Sequence, residues 1–440
     1  MKVLLVGSGG REHALAWRLS QASSLDELHA APGNPGIATL GRCHPVRAED
    51  GEGLLGLAGA LDADLVVVGP EAPLVGGVAD ELRHLGVAVF GPSANAARIE
   101  GSKSFAKEVM RSAGVPTAET LSVARAPCVI KADGLAAGKG VFVCQTQDEL
   151  DSALRAANAF GGSIVIEERL EGEEVSLFAV CDGAHALPLP AVQDFKRIGE
   201  GDEGPNTGGM GSCSPVATDV ESLVEAIHQP VLDELVARGT PFVGVLFAGV
   251  MLTDDGPRVL EFNCRFGDPE TQSLLPRLDG DLLELLAAAA QGDLAGTSMG
   301  IADNAAVTVV IAAGDYPASS DVGTPIEGIA DAEATGALVF HAGTALKGDR
   351  IVTNGGRILN VTAVESSVAV ARDRAYEACE LVSFRGMRYR RDVLGRDGAD
   401  LGPCFEGGEL HVQPARKPAL VRPDLGHGRA GVARDHHTAV

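Results

Sequence analysis

Two apolar runs close on a glycine-rich turn in CVIKADGLAAGKGVFVC, residues 128–144, and no other stretch narrows the choice of folds as far. Cys128, Val129 and Ile130 predict a strand that ends at Lys131, and Val141 to Cys144 predict its return. Between them Gly134, Gly138 and Gly140 let backbone N–H groups approach a ligand, while Ala132, Ala136 and Ala137 keep side chains clear. Lys131 and Lys139 add point charges suited to a polyphosphate. The pattern is not the P-loop, because Gly138-Lys139 is followed by Gly140 and a β-rich run rather than by Ser or Thr opening a helix. An ordinary glycine-rich hairpin shares this composition, so the neighbouring motifs must decide.

A chain of 440 residues exceeds one core. Its 56 glycines suit an α/β protein with many strand-to-helix turns. The formal charge of −24 excludes a broad attraction to nucleic acid or anionic membrane, so anionic ligands must be held by local lysines, arginines and N–H groups. Eight cysteines form no Cys-x-x-Cys pair, no apolar run reaches spanning length, and no signal peptide is expected. Reduced thiols, no membrane segment and a cytoplasmic location are expected.

Residues 1–101 alternate short apolar runs (Val3–Val6, Leu28–Ala31, Leu65–Val68, Val87–Phe90) with helical patterns near Arg11–Ser20 and Leu74–Leu85, which predicts an open parallel sheet. The first turn, GSGGREH (7–13), approaches a dinucleotide fingerprint but carries Glu12 in place of the third glycine, and no acidic residue ends the second strand. A nicotinamide or flavin is therefore disfavoured. What remains, a helix N-terminus beside Arg11, suits a single phosphate or serves the turn alone. APGNPG (31–36) and GPEAPL (69–74) should lie at the C-terminal edge of the same sheet, where ligands gather.

A helix should follow Ser102 and end at Gly114, with Lys103 and Lys107 one turn apart and, on their own, both expected in solvent. Beyond the hairpin the sequence predicts a helix at 148–159 and strands at 163–166 and 175–180, with Glu167 and Glu174 flanking the turn at Glu171-Gly172. QDFKRIGEGDEGPNTGGMG (193–211) reads as a long functional loop outside the core. In EFNCRFGDPETQ (261–272), Glu261 and Asn263 lie two apart on a strand and share a face. One carboxylate and one amide oxygen suit Mg²⁺, although such a pair alone also occurs on ordinary surfaces. Arg265 would join that face if the strand continued, ready to hold a phosphoryl or acyl oxygen. Residues 302–392 read as a further α+β unit with a hairpin at Asn354-Gly355-Gly356, and 393–440 as a disordered tail.

Taken together, KADGLAAGKG (131–140), EERLEGEE (167–174) and LEFNCRFGDPETQ (260–272) resemble the ATP-grasp ligases. GSGGREHALAW (7–17), APGNPG, GPEAPLV (69–75), GPNTGGMG (204–211) and NGGRILNVTA (354–363) narrow the likeness to the phosphoribosylamine–glycine ligase family, over about residues 1–392. The resemblance implies an α/β chain with an N-terminal substrate-binding (pre-ATP-grasp) domain at 1–101, an ATP-grasp domain at 102–301 with its lid near 115–178, and a C-terminal α+β domain at 302–392. It implies a monomer acting on small molecules. ATP, glycine and 5-phosphoribosylamine would give glycinamide ribonucleotide, ADP and phosphate through a glycyl phosphate, with no enzyme nucleophile.

By the same resemblance Lys103 and Lys131 contact ATP phosphates, and Gly138, Lys139 and Gly140 form the loop that closes over them. Glu167, Glu168 and Leu170 belong to the hinge that meets adenine, and Glu174 reaches the ribose. Glu261 and Asn263 hold Mg²⁺ or Mn²⁺, while Arg265, with Lys139, serves the chemistry. Gly9, Gly10, Arg11 and Glu12, with Asn206, Thr207, Gly208 and Gly209, cradle phosphoribosylamine, and Asp194 and Asp268 receive glycine's ammonium group. Two departures stand out: Val245–Val250 lacks the acidic metal ligand common on the preceding strand, and the lid is short between Thr120 and Pro127. Biotin-dependent carboxylases share the fold, and a nucleotide sensor that had lost turnover should have lost Lys131, Lys139, Glu261, Asn263 or Arg265; all five are present.

Overall fold

The computed structural model describes residues 1–136 and 139–394. The chain opens with β1 (Lys2–Gly7), α1 (Gly10–Leu19), β2 (Glu27–Pro32), β3 (Arg42–Cys43), α2 (Gly51–Leu61), β4 (Leu65–Val68), α3 (Glu71–Val75), α4 (Val78–His84), β5 (Ala88–Phe90) and α5 (Ala94–Gly101). The five strands form one parallel sheet in the order β3-β2-β1-β4-β5. Their near-continuous apolar runs follow from burial on both faces: Leu4 and Val6 enter one core, Val3 and Leu5 the other. The helix expected over 74–85 is two, because Gly77, at φ +90°, interrupts it.

Next come α6 (Lys103–Ala113), β6 (Cys128–Ala132), β7 (Val141–Cys144), α7 (Gln147–Asn158) and β8 (Ile164–Glu167). Ser102 Oγ caps α6 by accepting from Phe105 N at 3.2 Å, and Gly114, at φ +69°, ends it. The glycine-rich turn does join an antiparallel pair: Cys128 faces Cys144 and Lys131 faces Val141, with β8 completing a three-stranded sheet on the other side of β6. Helix α7 covers this sheet over a small core of its own, built on Ile130, Cys144, Leu150 and Ala153.

The remaining elements are β9 (Glu173–Asp182), β10 (Ala186–Asp194), β11 (Arg197–Gly199), β12 (Glu203–Asn206), β13 (Gly211–Ser214), α8 (Val220–Ala237), β14 (Val243–Thr253), β15 (Gly256–Asn263), α9 (Glu270–Leu274), β16 (Leu278–Asp279), α10 (Leu282–Gln291), β17 (Gly300–Ile301), β18 (Ala305–Ala313), β19 (Asp321–Pro325), α11 (Ile329–Ala334), β20 (Leu338–His341), β21 (Thr344–Lys347), β22 (Arg350–Gly355), β23 (Arg357–Glu365), α12 (Val368–Leu381) and β24 (Met387–Arg388). A large sheet runs β15-β14-β9-β10-β13-β18-β23-β20, with β24 beside β18. Glu261 and Asn263 thus sit on its edge strand.

Three expectations need correction. Residues 193–211 are not a loop: β11 and β12 pair as a hairpin, and Met210 is fully buried, because Arg388 and Arg390 tie the hairpin down through the Ile198 and Arg197 carbonyls. Asn354-Gly355-Gly356 does not close a hairpin. It carries the chain from β22, paired with β19 and β21, into β23, paired with β18 and β20. Val393 and Leu394, assigned to the tail, pack into the core; the rest of that tail lies outside the described residues. Of the described cysteines six are free, whereas Cys213 is disulfide-bonded, so reduced thiols hold for all but that one. Among the described residues no helix is long and apolar enough to cross a membrane.

Of the four histidines buried among the described residues, His13, His228 and His341 have lowered pKa values. His341 N donates to His13 Nδ1 at 2.7 Å, and burial, with His341 nearby, lowers His13 to about 3. Burial lowers His228 and His341 to about 4. Because each folded-state value lies below the unfolded one, the unfolded chain takes up protons first. The contribution is complete above about pH 6.5 and is lost as pH falls toward 4, each histidine costing about 2 kcal/mol by pH 5. Thermal unfolding scanned downward from about pH 7 should show the midpoint falling across this window; a flat midpoint would contradict it.

Candidate active site

One cavity of about 280 Å³ lies between the parallel sheet, the three-stranded sheet of β6, β7 and β8, and the edge of the large sheet. Its first wall is cationic. Lys103 opens α6 and donates from Nζ to Gly134 O at 3.1 Å, while its backbone N–H binds Asp133 Oδ1 at 2.6 Å. Asp133 also accepts from the Ser104 and Ser163 hydroxyls, tying the glycine turn to α6. Lys131 Nζ lies 2.7 Å from Glu167 Oε2 and 2.8 Å from Leu260 O. Lys107, expected in solvent, is buried instead: its Nζ reaches Glu167 Oε1 at 2.7 Å, Thr117 Oγ1 at 2.8 Å and Ala118 O at 2.6 Å. Helix geometry puts Lys107 on the same face as Lys103, but only the tertiary fold brings Glu167 to it. Burial lowers the pKa of Lys107 against the pull of Glu167, and that of Lys103 against Glu261.

Glu261 and Asn263 form the floor, on one face of β15. Burial alone would raise the Glu261 carboxyl, but Lys196, Lys131, Lys103 and Arg265 together hold it below its usual range. A carboxylate kept ionised beside an amide oxygen, open to a polyanion's cavity, fits a hard divalent cation that also takes phosphate and water oxygens. Among the described residues no cluster of three or more His, Cys, Asp or Glu forms a fuller cage. The strand before carries Gly249 opposite Glu261, and the space it leaves faces Glu261 and Glu174. Glu174 pairs with Lys196, a cavity-lining cation that no sequence motif singles out.

Arg265 would share the strand face only if the strand continued, but β15 ends at Asn263. Its guanidinium turns toward the N-terminal sheet, where Nε meets Glu71 Oε2 at 3.1 Å, Nη2 meets Glu100 Oε1 at 3.0 Å and Nη1 meets Phe266 O at 3.1 Å. Burial works against both charges. Even so, Arg265 and Arg11 bring Glu71 down to about 2, while burial outweighs Arg265 at Glu100 and raises it. Burial would lower Arg265 itself, but Glu100 and Glu71 raise it.

At the far end Arg11 donates to Glu12 Oε1 at 2.5 Å and to Phe266 O at 3.1 Å. Glu12, 2% exposed, accepts from Gly9 N at 2.6 Å and fills the space beneath Gly7 and Gly69, which explains why glutamate replaces the third glycine of a dinucleotide turn. Glu12 therefore shapes the turn rather than lining the cavity. Thr207 and Gly208 do line it, held by Thr207 N to Lys196 O at 2.8 Å and Gly208 N to Tyr316 Oη at 3.0 Å. Gly209, at φ +106°, allows the close passage over Pro269, where a Cβ would come within 2.3 Å of the ring. Asp268 pairs with Arg357 Nη2 at 3.1 Å. Burial pushes Asp194 well up despite Lys196, and pushes Glu270 up likewise.

The cavity therefore brings together Lys103, Lys131, Gly140, Glu167, Arg11, Asp194, Thr207, Gly208, Glu261, Asn263, Arg265 and Asp268. It does not bring in Gly9, Gly10, Glu12, Glu168, Leu170, Glu174, Asn206 or Gly209 as lining residues. Lys139 points elsewhere, donating to Pro317 O at 3.0 Å, and Gly138 lies outside the described residues. Glu168 N–H is committed to Glu119 O at 3.0 Å. Besides Lys196, the residues that sequence reasoning missed are Glu71, Glu100, Lys107, Glu270 and Arg357. The position of Glu71 after β4, at the ligand edge of a parallel sheet, was the one available signal.

Comparison with known proteins gives three family matches that tile the chain: the phosphoribosylglycinamide synthetase N domain over residues 1–100, its ATP-grasp (A) domain over 101–271 and its C domain over 306–396. The phosphoribosylamine–glycine ligase of Streptomyces coelicolor is 50% identical over 416 residues, covering 90% of this chain and 99% of that protein. That of Mesorhizobium japonicum is 48% identical over 414 residues, covering 89% and 97%. The crystal structure of the Thermotoga maritima phosphoribosylamine–glycine ligase superposes with a TM-score of 0.77 at 34% identity, covering 89% of this chain and 100% of that one. A biotin carboxylase domain from Hydrogenobacter thermophilus superposes at 0.65 with 18% identity, which establishes a shared fold alone. An N-terminal parallel sheet, a central ATP-grasp domain and a C-terminal domain, matched in order across nearly the whole chain, place it in the phosphoribosylamine–glycine ligase family.

Proposed function

We propose that the protein uses ATP to join glycine to 5-phosphoribosylamine, giving glycinamide ribonucleotide, ADP and phosphate, the amide-forming step of purine synthesis that its relatives are named for. The observation that carries this is the cavity in which Lys103 and Lys131, the Glu261–Asn263 pair and Arg11 of the N-terminal unit meet. Lys103 and Lys131 receive the ATP phosphates, with Gly140 behind them, and the hinge after Glu167 meets adenine. Glu261 and Asn263 hold Mg²⁺ or Mn²⁺, which when bound offsets charge on the phosphate oxygens. Arg11 and the Thr207–Gly208 segment after β12 face the sugar phosphate, and Asp194 faces glycine's ammonium group.

The chemistry asks for position and charge rather than for a nucleophilic side chain. Glycine's carboxylate attacks the γ-phosphorus, the bond to the β-bridging oxygen breaks, and ADP departs. Arg265 steadies the resulting acyl phosphate while the sugar amine attacks its carbonyl carbon and phosphate leaves. The division of labour follows the domains: residues 1–101 serve the sugar phosphate, 102–301 the nucleotide, with a lid near 115–178, and 302–392 close the site through Arg357. The protein acts as a monomer.

ADP release measured with ATP, glycine and freshly generated phosphoribosylamine, each omitted in turn, tests the assignment. Release should fall to background whenever any one is left out. Release that ignores glycine, or requires bicarbonate, would overturn it.

A further inference from the structure

Arg265 is held by groups from a different part of the chain. Glu71 follows β4 and Glu100 lies in the last turn of α5, both in the N-terminal sheet unit, yet their carboxylates lie 3.1 and 3.0 Å from Nε and Nη2 of Arg265. Glu100 also accepts from Cys264 N at 2.8 Å, so one carboxylate fixes both the backbone before Arg265 and the guanidinium. Nη1 is fixed in turn by Phe266 O at 3.1 Å.

A guanidinium carries five N–H groups. Three have partners here, one each on Nε, Nη1 and Nη2, which leaves one N–H on each terminal nitrogen for the cavity that Arg265 lines. Two adjacent N–H groups form the fork that grips a phosphate or carboxylate in bidentate fashion. The charge balance argues that aim is what the carboxylates supply: two anions around one cation leave the triad negative, which by itself would repel an acyl phosphate. Glu71 also feels Arg11, so it stands between the cation proposed for the sugar phosphate and the cation proposed for the acyl phosphate.

We propose that Glu71 and Glu100 are positioning residues for the ligation step, aiming the free edge of Arg265 at the acyl phosphate from the N-terminal sheet. This rests on the function proposed above, in which Arg265 contacts the reacting group. It predicts a sign that charge alone does not. Neutralising either glutamate makes the site more positive, so a purely electrostatic role would tighten anion binding and leave or raise the rate. A positioning role lowers the rate.

The test is a double-mutant cycle on the full chain with Glu100→Gln, Arg265→Ala and their combination, read as ADP release with all three substrates. Glu100→Gln should lower kcat about 10- to 100-fold, the scale of a misaimed catalytic group, and leave the KM for ATP within about twofold. In the Arg265→Ala background it should add nothing. Multiplying effects, or an unchanged or raised kcat, would overturn the inference. If Glu100→Gln melts well below the parent, the same cycle run with Glu71→Gln, whose side chain is 23% exposed, decides the matter. The parent protein is measured first. Glycine-independent ADP release there would sink the proposed function and this inference together, whereas a glycine-dependent parent with multiplying effects would sink the inference alone.

Discussion

Glu261→Gln should fold normally and lose about 10²- to 10³-fold in kcat, together with a clear rise in the Mg²⁺ concentration needed for half-maximal rate. The amide has the carboxylate's shape, so packing on β15 is kept and only the charge is removed. That charge matters because of what surrounds it. Lys196, Lys131, Lys103 and Arg265 hold Glu261 ionised against its burial, and the same field confronts an incoming cation once the carboxylate is gone. Asn263 alone, a neutral oxygen donor, cannot offset it. The substitution has an opposite effect on free nucleotide: with one anion fewer, ATP in excess EDTA should bind the variant more tightly than the parent. Magnesium titrations of ADP release, paired with nucleotide binding in EDTA, check both halves. An unchanged magnesium requirement would show that the cation is held elsewhere.

The parts of the fold that could be read from sequence were those whose determinants are local. Val3–Val6 and Leu65–Val68 announce parallel strands because both faces are buried, and Ser102 and Gly114 announce the ends of α6 because caps act within one turn. The glycine-rich turn at 133–140 is visible for the same reason. Asn354-Gly355-Gly356 misleads because a turn signal reports only that the chain can bend, and here the two flanking strands are claimed by different sheets.

The site was half legible. Its motifs name Lys131, Glu261 and Arg265, but a charged side chain does not declare its partner, and the partners here are remote. Arg265 meets Glu71 across 194 positions and Lys131 meets Leu260 across 129. Lys107 reads as solvated because surface lysines usually are. Lys196 sits in a segment rich in charge and glycine, and only the pairing of β11 with β12 and the docking of Arg390 turn that segment into a wall. Glu12 shows the converse: its motif position suggests a ligand contact, whereas its carboxylate is consumed by Gly9 and Arg11.

Glu167→Ala should be the most damaging single change to the lid. The carboxylate is 2% exposed and bridges Lys107 and Lys131, each at 2.7 Å, so its loss strands two ammonium groups where water barely reaches. Breaking a buried pair from one side costs about 3 to 5 kcal/mol. The lid has little with which to offset this, since its core is a small cluster around Ile130 and Leu150. Limited proteolysis should therefore cut within the lid sheet of the variant well before the parallel sheet, and the KM for ATP should rise as Lys131 loses its fixed position. Adding Lys107→Met to Glu167→Ala separates charge from packing. If the penalty is the stranded charge, the double variant regains part of the lost resistance, because methionine leaves only Lys131, which keeps Leu260 O and faces the cavity. If the double variant is cut faster than Glu167→Ala, Lys107 stabilises the lid by its contacts with Thr117 and Ala118 rather than through the ion pair.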